Sequence, residues 1–134
     1  MGAWAEDVFG NDTACDWAGD FADNPNLDIV NAAVERVLHA EYIDSDEASE
    51  CLVACEILAR MKGNWGERSS YSTSIDAWIE SSKITPPENL INNAKIAITK
   101  ILGENSELRE LWDEDGKNEK WHQEINSLLS RVIG

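Results

Sequence analysis

Apolar residues return at three- and four-residue intervals along nearly the whole chain, and no alternation of period two persists over a useful length. That spacing excludes a sheet and calls for helices, so the first question is where they start and stop. A first helix is expected from about Thr13 to Asp23, with Asn11 or Asp12 as N-cap and Ala14, Trp17, Ala18 and Phe21 forming one apolar stripe. Pro25 ends it. A second covers roughly Leu27–Glu41 and buries Val30, Ala33, Val34, Val37 and Leu38. The third opens at Asp44 or Ser45, where Asp44 and Glu47 have capping-box spacing. It carries a broad apolar face of Ala48, Cys51, Leu52, Cys55, Leu58, Ala59 and Met61, and Gly63 is its natural stop.

The stretch GNWGERSSYSTS reads as a loop, followed by a short helix near Ser74–Ser82 with Ile75, Trp78 and Ile79. TPPE then signals a start, with Thr85 as N-cap, Pro86 at the first helical position and Glu88 at the third. Leu90, Ala94, Ile98, Ile101 and Leu102 pace that helix to Gly103. A sixth begins near Ser106, and a last runs from about Asn118 to Val132 with Trp121, Ile125, Leu128, Leu129 and Val132 inward. The expected architecture is an all-α, single-domain bundle of about six to seven short helices over residues 1–134, without internal repeats.

Charge narrows the partner class. The formal net charge is −15; residues 1–59 contain 14 Asp/Glu against one base, Arg36, whereas residues 60–134 contain 12 acids and 10 bases. Nucleic acid and anionic membranes need positive contact surfaces, so neither is expected as a ligand. A basic protein, a cation or plain solubility all remain open. With 43% hydrophobic residues the chain is globular, not a disordered acidic tail. No window approaches the ~20 apolar residues of a membrane span. The start shows no signal-peptide pattern, and Glu6 spoils the match of Met1-Gly2 to a myristoylation site. Cys15, Cys51 and Cys55 are an odd set within helical pattern and read as packing residues in a reducing cytosol.

The series Asp12, Asp16, Asp20 and Asp23 repeats like charge near helical spacing, where each neighbouring pair destabilises slightly. Helix-start preference accounts for Asp12 and Asp16 but not for Asp20 and Asp23. A solvated face, a face for a basic partner, and metal or acid/base chemistry are the available readings. Metal is disfavoured: the aspartates rise one turn apiece, no calcium-loop pattern exists, and His39 and His122 are too scattered for zinc. Glu50 and Glu56 do not sit in a Glu-x-x-His arrangement. No nucleophile elbow, Cys–His pairing or phosphate-cradling glycine loop occurs. Trp17, Trp78 and Trp121 fit helix stripes, whereas Trp65 in its glycine-flanked loop is either a lid over the core or an exposed anchor.

Met1-Gly2-Ala3-Trp4, Phe9, Asn11-Asp12, Ala14 and Asp16-Trp17 resemble the bacterial domain-of-unknown-function family number 4259, whose members open MGAWG and continue with an F-x-N-D-x-A-x-D run. The likeness continues through Ala48-Ser49-Glu50-Cys51 with Ala54 and Glu56, through Ser106-Glu107-Leu108-Arg109-Glu110-Leu111-Trp112, and to Trp121 and Leu128-Leu129-Ser130-Arg131. It departs at Ala5, where the family usually has Gly. The resemblance brings no established activity. It implies a small bacterial helical protein of a kind that includes immunity proteins of contact-dependent growth inhibition. It also makes Asn11-Asp12 fold residues that tie down the MGAW segment, which moves function to other acids.

The resulting expectation is a cytoplasmic, non-enzymatic immunity protein that binds a basic toxin domain, a nuclease, as one partner of a heterodimer. The contact residues would be Asp20, Asp23, Asp28, Glu35, Glu41, Asp44, Asp46, Glu47 and Trp65, with no cofactor and no metal. The alternative is a small enzyme or metal-binding protein using Asp7, Asp12 and Asp16.

Overall fold

A computed structural model describes residues 5–134. Among the described residues there are seven helices and no strand: α1 (Asp12–Asp23), α2 (Leu27–His39), α3 (Ser45–Met61), α4 (Thr73–Ser82), α5 (Glu88–Ile101), α6 (Glu107–Trp112) and α7 (Glu119–Ile133). The fold is all-α, as the spacing requires. The Met1–Trp4 opening, and the tie expected between it and Asn11-Asp12, lie outside the described residues.

Five starts are closed by a side chain at the N-cap. Asn11, Asn26, Asp44, Ser106 and Asn118 accept the backbone N–H of Ala14, Ile29, Glu47, Arg109 and Trp121, respectively. TPPE behaves differently from its sequence signal: α5 begins at Glu88 with Pro87 at the N-cap and no side-chain cap. The cause is the second proline, because a residue followed by proline is pushed out of the helical region and Pro86 therefore cannot open the helix.

α3 is the axis of the molecule and packs against every other helix. Ten consecutive residues, Cys51–Arg60, are buried, so it is enclosed on all sides and not on one face. It ends in a Schellman motif: Gly63 at φ 88° donates to the Arg60 carbonyl, and Asn64 donates to that of Ala59. α2 stops two residues earlier than its apolar pattern suggests. The chain bends at residues 41–42, then Ile43 donates to the Asn105 carbonyl and Glu107 donates to the Ile43 carbonyl, both at 2.9 Å. Lys100 of α5 replaces the missing glycine cap, since its ammonium donates to the carbonyls of Val37, Leu38 and Ala40 at 2.9–3.0 Å.

The Trp17 and Phe21 rings of α1 face inward, as their stripe requires. Trp17 stacks on Phe21 with centroids 5.6 Å apart, and Phe21 meets Trp78 of α4 edge-on at 5.3 Å. Cys51 and Cys55 are buried, Cys15 is half-buried, and all three are free thiols.

Candidate functional site

The two ends of α3 hold the two charge constellations of the molecule. At its start, the Asp44 carboxylate caps the helix through the Glu47 N–H at 2.7 Å. A further free N–H of the first turn is satisfied from afar: Glu107 of α6 accepts the Ser45 N–H at 2.7 Å. Asp46 accepts the Thr13 hydroxyl at 2.9 Å, which brings the first turn of α1, with Asp12 and Asp16, beside the first turn of α3. Tyr42 leans across from the preceding turn and donates to Glu110 at 2.6 Å. One continuous acidic ridge results, running from Asp16 and Asp12 through Asp46, Asp44 and Glu47 to Glu107 and Glu110.

The carboxylates of this ridge are sparsely countered, with Arg36 the base that acts on Glu47. Among the described residues, Asp12, Asp16, Glu41, Asp44, Asp46 and Glu47 make no ion pair. The bases nearby are already engaged: Arg36 with Glu50 at 2.8 Å, His39 with Glu35 at 2.8 Å, and Lys100 with the α2 carbonyls. The hydrogen bond with Asp44, partial loss of water and the Asp44 and Glu50 charges push the Glu47 carboxyl above the usual range, opposed by Arg36. Between α2 and the ridge lies an open hollow of about 680 Å³, with Ala32, Glu35, Arg36, Tyr42 and Glu47 in its wall.

Not every expected contact residue belongs here. Asp20, Asp23 and Asp28 are exposed at the α1–α2 corner; Asp20 follows Asp16 by one helical turn, about 6 Å beyond the end of the ridge, whereas the 13 residues of α2 put roughly 20 Å between Asp28 and the hollow at the other end of that helix. Asp28 occupies the first turn of α2, where a carboxylate suits the helix dipole. Glu41 is exposed beside the ridge in the α2–α3 connection. Trp65 is half-buried at the far end of α3, with the Arg68 guanidinium 3.8 Å from its ring centroid. The structure therefore separates it from the acids and makes it a cover over the second constellation.

That second constellation is internal. Arg60, 2% exposed, donates through Nε to Glu56 at 3.1 Å, through Nη1 to Asp76, and through Nη2 to the Glu67 carbonyl at 2.8 Å. Arg131 grips both oxygens of Glu56, its Nη2 at 3.0 Å from Oε2, and the Ser72 hydroxyl donates to Asp76 at 2.8 Å. Gly66 presses on this pairing, since a Cβ there would lie 2.7 Å from Arg131 Nη1 and 2.8 Å from Glu56 Oε1. Helical periodicity hides this network, because each member reads as a polar interruption of its own helix.

The match to a family model covers residues 2–124 and carries the description "Domain of unknown function (DUF4259)". The chain belongs to that family. No curated protein and no solved structure matches it. In this DUF4259 chain, Glu56, inside the matched segment, pairs with Arg131, which lies beyond it.

Around Arg131 and Glu56 stand Asp7, Glu67 and Glu124. Loss of hydration and the neighbouring Glu67 and Glu56 charges raise the Asp7 carboxyl, and loss of hydration with Asp7, Glu56 and Glu67 raises that of Glu124. Even so, no group of three or more His, Cys, Asp or Glu among the described residues is arranged to hold a metal ion. Burial and the charges of Asp12, Asp16 and Asp7 push the Cys15 thiol up; the Cys51 contact and burial do the same to Cys55, which disfavours thiolate chemistry at either. Among the described residues no helix is long and apolar enough to cross a membrane.

Proposed function

We propose that this DUF4259 domain is an immunity-type inhibitor. On this reading it acts in the cytoplasm and binds a basic toxin domain, a nuclease, through the ridge at the start of α3, with no catalytic step of its own. The observation that carries the reading is that, among the described residues, Asp12, Asp16, Asp46, Asp44 and Glu47 make no ion pair, beside bases that are engaged elsewhere. A nuclease must present positive charge to hold a polyanion, and a carboxylate ridge is the complementary cover for such a site. Opposed potentials of this kind accelerate association by about 10- to 1,000-fold at low salt.

The test uses the product of the reading frame adjacent to this gene as the partner. Its association rate is measured by stopped-flow at increasing salt. A steep fall in rate, with little change in dissociation, is expected. A rate indifferent to salt would remove the ridge from the encounter.

A further inference from the structure

We infer that the hollow between the end of α2 and the start of α3 seats an arginine side chain of the partner, stacked on the Tyr42 ring and paired with the Glu47 carboxylate. This rests on the acidic-ridge reading above and adds to it an anchor and a side-chain preference.

Tyr42 is built as a fixed anchor. Its neighbour Ile43 is 1% exposed and is held on both sides by the backbone bonds to Asn105 and Glu107. Tyr42 sits at the bend before this held residue, and its ring stays outside, 49% exposed, while Ile43 is buried. The bond from its hydroxyl to Glu110 then locks the ring, so little side-chain freedom is lost when a partner arrives. Tyrosine on a desolvatable, pre-ordered surface is a frequent interface hot spot.

Charge selects the occupant. Glu47 shares the hollow wall with this ring and has no ion-pair partner among the described residues, while Arg36 and His39 in the same wall are held by Glu50 and Glu35. A planar guanidinium can lie on the ring and present its fork to a carboxylate at once; an ammonium cannot do both. The molecule already uses this arrangement within itself. At the other end of α3, Arg68 lies over Trp65 at 3.8 Å while its Nη1 meets Glu80 at 2.9 Å.

The experiment titrates the protein with an arginine homopeptide and a lysine homopeptide of equal length at about 0.15 M salt, read by calorimetry and by the Tyr42 ring resonances. The arginine peptide is expected to bind about two- to five-fold more tightly. Tyr42→Ala should bring the ratio to one, Tyr42→Phe should keep it, and Glu47→Gln should weaken both peptides. A preference that survives Tyr42→Ala would overturn the seat. Equal, salt-sensitive binding of both peptides would overturn the seat while leaving the ridge. Binding of neither at low salt would remove the ridge as well.

Discussion

The 17 residues of α3 separate two solutions to the same problem by about 25 Å. At the finish, Glu56, Asp76, Arg60 and Arg131 are matched acid to base and closed off by Trp65 and Gly66. At the start, Asp44, Asp46 and Glu47 are unmatched and face water. Enclosure decides the difference. A charge taken from water must find its partner inside the fold, whereas an exposed carboxylate can wait for a partner from outside.

The largest break in this contrast comes from the closed end. Arg60→Met should cost about 3–5 kcal/mol in urea unfolding, because it leaves the buried Asp76 carboxylate without its ion-pair partner and takes one of the two arginines from Glu56. A loss below ~1 kcal/mol would mean that water reaches the network and that the two ends of α3 are alike. Next is Lys100→Met, which takes the ammonium donor from the carbonyls of Val37, Leu38 and Ala40 and leaves Val37 with the Ala40 N–H. About 1–3 kcal/mol is expected, with faster hydrogen exchange at Ile43 as the local signature. An unchanged exchange rate at Ile43 would argue that the 40–43 segment is held by its bridge to Ser106 alone.

The open end should respond in the opposite sense. Asp46→Asn with Glu47→Gln removes two charges that have no ion pair, so stability is expected to stay within about 0.5 kcal/mol of the parent, or to rise. Association with a basic partner should slow in the same variant. A loss of stability comparable to that of Arg60→Met would make these acids fold residues and not a docking face.

The sequence carried some of this and concealed the rest for identifiable reasons. Most helices were legible from apolar spacing, and local chemistry narrowed the first start to Asn11 or Asp12 and the third to Asp44 or Ser45, because these depend on residues within one turn of each other. Asp44, Asp46 and Glu47 were legible as a charge cluster for the same reason. Tyr42, Glu107 and Glu110 were not, because their placement depends on pairing of the 40s with the 100s, which leaves no periodic mark. Asp12 and Asp16, read from the motif as helix-start residues, join the ridge only through the Thr13–Asp46 contact. Glu56 and Arg131 lie 75 residues apart, and nothing in either helix pattern assigns one to the other.

The smallest expected effect tests the rim of the closed end, where the contrast is least sharp. Asp7 and Glu124 stand near Glu56 and Glu67, and both carboxyls are raised above their usual range. A carboxyl whose folded value exceeds its unfolded one takes up a proton more readily in the native state. The native protein therefore holds more protons between the two values, and this contribution favours folding more as pH falls from the raised value to the ordinary one. Asp113 acts in reverse. Burial works against its charge, but the Asn118 N–H, His122 and Arg109 outweigh that and hold its carboxyl low, so its stabilisation is lost only as pH drops through that lowered value. Stability should accordingly rise as pH falls through the raised values of Asp7 and Glu124 and fall again as it passes the lowered value of Asp113. Glu124→Gln should raise stability at neutral pH and flatten the rising limb while leaving the acid limb in place. A flat profile in the parent protein would place Asp7 and Glu124 in open water, and the charge crowding of the rim would then end at the Arg131–Glu56 pair.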